Sequence, residues 1–301
     1  MKIKFFLAIA CAGFFILSSC DNKNLFGKFH KAGSSSNVEV LLNDANAALA
    51  NGDAAEAKQI ADKILIQEPN NSEALYVSAA AGLKEAGLDL AGIITNVIVS
   101  SNVVGTDLIP KNINLADLSA ATENAVKNLK KIADGRADGT IPQNDVDVNL
   151  NLGICQVLNA ATKIFDLDVD GKFGEDDSDE PIQLTSDFEI KIDTVVLENL
   201  KSNTTSQAKA VQQVKDAAIQ LIGGAATEKL LGTTTNVTLT DEEKESKGSI
   251  DYLDSALKVL DLGTGNDSIT DIKSNVDKVT GSTTTAGGDE NSVLDIWKKL
   301  F

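Results

Sequence analysis

The chain has 301 residues, with 44 Asp and Glu against 27 Lys and Arg, a formal charge of -17 and a pI of about 4.4. That length allows one large or two modest domains with a buried core. The negative field repels phosphate backbones and anionic head groups, so nucleic acid is excluded as a partner and charge does not draw the chain to a membrane.

The first twenty residues say where the protein is expected to reside. Lys2 and Lys4 form a positive start, residues 5–17 an apolar run too short to span a bilayer, and Ser18-Ser19 the small residues a peptidase cleft requires. Leu17-Ser18-Ser19-Cys20 resembles the lipobox of bacterial lipoproteins. The resemblance implies cleavage before Cys20, acylation of its sulfur and usually of its new amine, and a mature chain of charge -19. At about 0.8 kcal/mol per buried methylene, two or three acyl chains hold a domain on a membrane. The alternative is an ordinary secretory signal in which Cys20 happens to follow small residues. Residues 21–37, with Gly27, Gly33 and Ser34-Ser35-Ser36, have no sustained period and are expected to be a tether.

Few residues are suited to catalysis. Cys11 leaves with the leader and Cys20 is acylated, so Cys155 stands alone, and its setting predicts a small buried hydrophobe. The single His30 lies in the tether, which removes the usual nucleophile–histidine sites and zinc sites of His and Cys. One Trp and two Tyr leave little for a sugar-stacking platform, and carboxylate chemistry stays open.

From Val38 the pattern is helical in two segments to about Ile66, broken at Asn51-Gly52-Asp53, where Gly52 can take positive φ and Asp53 can cap the next helix. Pro69-Asn70-Asn71 ends the second segment, and Ser72 is placed to cap a third. Counted from Val38, Leu41, Ala45, Gly52-Asp53, Ala57 and Pro69-Asn70-Asn71 resemble a tetratricopeptide repeat, a helix-turn-helix unit of about thirty-four residues. Asp44, Ala48 and Ala61 depart from that pattern and thin the core. A second copy has Leu75, Ala79 and Ala91 in register, but Val103 stands for the closing proline. Because such units must stack to bury their faces, later helices are expected to complete the array. The resemblance implies that the first helix of each unit lines a groove, which points to Glu39, Leu42, Asn46, Glu73, Tyr76 and Lys84 as partner contacts. Tyr76 is either the strongest of these or covered by the tether or a later helix.

Further helical faces follow at Leu115–Ile132, Leu150–Phe165, Val211–Leu221 and Ile250–Leu260. Phe188, Ile190 and Ile192 alternate as a strand, although Leu184, Phe188 and Ile192 would share a helical face. Residues 263–266 and 280–288 read as loops, and 292–301 as a short terminal helix packing back on the body.

Asp166-Leu167-Asp168-Val169-Asp170-Gly171 puts oxygens at loop positions 1, 3 and 5 and a turn glycine at 6, which resembles an EF-hand calcium loop of the dockerin-like kind. The resemblance implies Ca2+ held by Asp166, Asp168, Asp170, the Lys172 carbonyl and Asp177, with Phe173 apolar at position 8. Asp177 is shorter than the glutamate usual at its position, and Pro181 crowds an exiting helix; an acidic exposed turn is the other reading. An earlier stretch, 134–145, has Asp138-Gly139 and Ile141 in register but Arg136 at a ligand position, so it is a degenerate loop or a coincidence.

The expected fold is therefore all-α, helical hairpins continuing into an array or bundle. A leader (1–19), a lipidated tether (20–37), a repeat-like region (38–110) and a further helical region (111–301) with an acidic loop (166–180) divide the chain. The expected role is a non-catalytic scaffold of the bacterial cell envelope, held by its acyl anchor and binding an envelope protein or peptide. The alternatives are an acidic-residue envelope hydrolase and a solute-binding lipoprotein of a transporter, the latter weakened by the lack of alternating strands and helices.

Overall fold

A computed structural model describes residues 33, 35–88, 114–173, 179–184, 190–231 and 237–259. Cys20, Asp177, the second half of the second repeat copy and the terminal segment 292–301 lie outside the described residues. The fold is all-α as expected, with one two-stranded sheet.

Helix α1 (Val38–Asn51) starts where the Asn37 side chain accepts the N–H groups of Glu39 and Val40. It ends at Gly52, whose φ of +93° is left-handed. Helix α2 (Ala54–Gln67) follows at once. Asp53 occupies its N-cap position but makes no side-chain cap bond, contrary to expectation. Helix α3 (Ser72–Glu85) is capped by Asn71, whose side chain accepts the Ala74 N–H, so the cap lies one residue before the Ser72 expected to provide it. Ser72 is instead buried. Helix α4 (Leu115–Ala133) and helix α5 (Val146–Ile164) are capped by Asn114 and Asp145.

Strand β1 (Ile182–Leu184) pairs antiparallel with β2 (Ile190–Ile192), Ile182 opposite Ile192. The alternation of Ile190 and Ile192 is thus realised as a strand; Phe188 lies outside the described residues. Helices α6 (Thr194–Ser202), α7 (Thr204–Ile222), α8 (Gly224–Leu231), α9 (Asp241–Glu245) and α10 (Ser249–Val259) complete the described chain. The periodicity did not reveal α6, α8 or α9. A capping box between Thr240 and Glu243 starts the five-residue α9, which buries no residue.

Helices α1, α2 and α3 pack in series, α3 rests on α4, and α5 lies among α4, α7 and α10. Two adjoining apolar clusters result. Leu41, Ala45, Ile60, Ile64 and Val77 belong to the smaller, alanine-rich one, and Leu75, Leu83, Leu118, Leu129, Leu152 and Leu158 to the larger. Helix α3 contributes one face to each. Each fully buried Leu contributes about 1.5–3 kcal/mol.

Helix α5 is buried on nearly every side, as suits a helix enclosed by neighbours. Its buried Asn159 is tied in on both sides: Nδ2 donates to the Thr122 hydroxyl at 3.2 Å, and Oδ1 accepts Gln220 Nε2 at 2.9 Å. Cys155 is fully buried, and burial pushes its thiol pKa up, which keeps it unreactive. No helix of the described residues is long and apolar enough to cross a membrane.

Candidate metal centre

The site forms where α5 runs out. Phe165 closes the helix with its N–H on the carbonyls of Ala161 and Thr162, and Leu167, fully buried, anchors the next turn in the larger cluster. Between and beyond them, Asp166 and Asp168 are left facing one another. Asp166 Oδ1 accepts the N–H groups of Asp170 at 3.0 Å and Gly171 at 3.3 Å, and Asp168 Oδ1 accepts that of Asp170 at 3.0 Å. Gly171 has a φ of +78°, and Val169 has one of +63°, rare for a branched side chain.

The third carboxylate comes from Glu180, which is 0 % exposed. Its Oε1 accepts the Asp168 N–H at 2.9 Å. Carboxylate oxygens of Asp166, Asp168 and Glu180 all lie within 4.8 Å of one another. Two side chains of α7 fix the loop from outside: Gln213 Nε2 donates to the Asp166 carbonyl at 2.9 Å, and Lys209 Nζ to the Asp168 carbonyl at 3.1 Å.

Burial raises the Asp166 pKa above the usual aspartate value; the N–H bonds of Gly171 and Asp170 oppose this, and the charges of Asp168 and Asp170 add to it. Asp170 behaves oppositely. It forms an ion pair with Lys172 and accepts the Lys172 N–H at 2.8 Å, which holds its pKa below the usual value. Among the predicted ligands, the structure therefore brings Asp166 and Asp168 together, turns Asp170 to Lys172, and engages the Lys172 side chain in that pair. Asp177 lies outside the described residues. Phe173 is partly buried against the larger cluster, as an apolar eighth position requires.

Glu180 was missed by the sequence reading because it lies beyond a twelve-residue loop. Its position before Pro181 and the Ile182 strand was the only available signal. The donor set, carboxylate oxygens of Asp166, Asp168 and Glu180 clustered on one turn, is of the hard-oxygen kind that a cation such as Ca2+ takes.

The six predicted partner contacts divide. Glu39 and Asn46 are exposed on α1, and Leu42 is half-buried against the smaller cluster. Lys84 is exposed near the α1–α2 turn, its Nζ 3.4 Å from the Leu49 carbonyl. Tyr76 is covered, the second of its two expected readings, and Glu73 stays partly exposed but is engaged by the turn at Thr140, a correction to the open groove expected there. The Glu73 carboxylate accepts the N–H and hydroxyl of Thr140 and the Ser72 hydroxyl. Burial works to raise its pKa, but these bonds hold it below the usual glutamate value. Tyr76 packs against the larger cluster and accepts Asn151 Nδ2 at 3.3 Å, and burial pushes its pKa up to about 12.

No protein-family model matches the chain, and no curated protein or solved structure matches it.

Proposed function

We propose that the protein is a lipid-anchored scaffold of the bacterial cell envelope that binds another envelope protein or peptide without catalysis, with a structural Ca2+ in the loop after α5. The observation that carries the reading is the meeting of Asp166, Asp168 and Glu180, since three carboxylates drawn together, one of them fully buried, are explained by a divalent cation between them. When bound, the ion supplies charge compensation and oxygen coordination. Asp166 and Asp168 hold it from the helix side and Glu180 from the sheet side, while Gln213 and Lys209 keep the loop backbone against α7.

The lipobox-like Leu17-Ser18-Ser19-Cys20 supports the anchor. The outer face of α1 supports partner binding, because Glu39 and Asn46 are exposed there and Leu42 is partly so, with Lys84 nearby. Glu73 and Tyr76 are not among the proposed contacts.

Titration calorimetry with calcium chloride on the wild type, Asp166→Ala and Glu180→Ala tests the ion. Heat and a raised melting temperature in the wild type alone are expected; no heat at millimolar calcium ends the calcium reading. Mass spectrometry of the mature amino-terminal peptide tests the anchor, and an unmodified Cys20 ends it. For binding, Glu39→Ala, Asn46→Ala and Lys84→Ala together should lose crosslinked partners at unchanged melting temperature.

A further inference from the structure

The expected tether does not run free to the start of α1. Gly33 and residues 35–37 lie on the α1–α2 hairpin, and the contacts that hold them read the main chain. Lys63 Nζ, from α2, donates to the carbonyls of both Gly33 and Ser35 at 2.7 Å. The Gly33 N–H donates to Asp44 Oδ2 of α1 at 2.9 Å. The Asn37 N–H donates to Ser35 Oγ at 2.9 Å, and Asn37 in turn caps α1.

Gly33 is required on two grounds. Its φ is +71°, and a Cβ there would lie 2.9 Å from Ile60 Cγ1, a side chain that is itself buried.

The geometry points to a strap: Lys63 and Asp44 clamp Gly33 and Ser35 to the hairpin, so the chain meets the folded body at Gly33 rather than at α1. An ammonium group bridging two carbonyls and a carboxylate taking an amide grip main-chain atoms, provided the first residue is glycine. Opening the clamp frees four residue steps, which adds about 14 Å of reach. That consequence for reach rests on the lipid-anchor reading; the clamp itself does not.

Amide hydrogen exchange on the full chain tests it. The Gly33 and Asn37 amides should exchange at least about tenfold more slowly than free-chain amides in the wild type. Lys63→Ala and Gly33→Ala should each return both to the free-chain rate while the α2 amides keep their protection, and Lys63→Arg, which keeps charge and donors, should restore part of it. Free-chain exchange of Gly33 in the wild type, or protection unchanged in both disruptive variants, overturns the clamp. An unmodified Cys20 would remove the anchor and leave these exchange rates as they are.

Discussion

The loop after α4 and the loop after α5 look alike in sequence and behave as opposites. Both begin at an aspartate as a helix ends, and both turn on a glycine of positive φ, Gly139 in one and Gly171 in the other. In the first, Asp134 accepts Arg136 Nη2 at 2.7 Å and the Tyr252 hydroxyl at 3.0 Å and pairs with Lys130 at 3.1 Å. Burial works to raise its pKa, but these partners hold it below the usual value. Beyond it the chain docks on α3, the Ser72 N–H reaching the Asp138 carbonyl at 2.7 Å and the Asp138 N–H reaching the Asn70 carbonyl at 2.6 Å. In the second loop Asp166 meets carboxylates, and its pKa is raised. Carboxylate spacing alone does not separate a structural turn from a cation loop; the charges that surround the carboxylates do.

The largest expected effect breaks the docking of the first loop. A Cβ at Gly139, whose φ is +130°, would strike the Glu73 carboxylate and the Ser72 hydroxyl. Gly139→Ala should therefore cost about 3 kcal/mol in chemical denaturation, from strain plus lost hydrogen bonds. A cost near zero would mean that the 138–140 contact is not what seats α3.

Calcium should act on the second loop alone. At a hundredfold excess over Kd the wild type should gain about 2.7 kcal/mol. Asp134→Asn should keep that gain, and Asp166→Asn should lose it. Loss in both variants would erase the contrast between the loops.

The pH dependence without metal should have opposite signs. The lowered Asp134 pKa gives stability that is present above its unfolded value of 3.8 and lost as pH falls through the folded value. The raised Asp166 pKa does the reverse: no penalty exists below 3.8, and one grows as pH rises through the folded value. In melts across the acid range, Asp134→Asn should remove part of the acid-side loss, whereas Asp166→Asn should raise the melting temperature at neutral pH. A lower melting temperature for metal-free Asp166→Asn at neutral pH would contradict the assigned repulsion.

The smallest effects sharpen the comparison. Gly171→Ala meets open space and only backbone strain, so it should cost about 1 kcal/mol, well below Gly139→Ala. Tyr252→Phe should also cost about 1 kcal/mol through the lost bond to Asp134.

Much of the fold could be read in the sequence, because the apolar period of a helix is local. Leu118, Leu129 and Ile132 on α4, and Leu150, Ile154 and Phe165 on or just after α5, are buried as their spacing predicts, whereas Val157 and Ala161 of the same expected face are only partly buried. The start of α5 was hidden because its first turns alternate Val, Asn and Leu, which suits a helix buried on all sides rather than on one face. Helix α9 lacks an apolar face, and only its capping box marks it.

By itself the sequence determined the helical class, the breaks at Gly52 and Pro69, the burial of Cys155 and the existence of an acidic turn at 166–171. Each follows from neighbours along the chain, through propensity, capping and period. Only the tertiary structure decided which carboxylates meet. Glu180 joins Asp166 and Asp168 because the segment before β1 folds back on the loop, and Asp170 leaves them because Lys172 lies beside it. The structure likewise covered Tyr76 with α5 and engaged Glu73 with the 138–140 turn. Which carboxylates and which helix faces from distant parts of the chain meet is set by tertiary packing, and no local pattern encodes that.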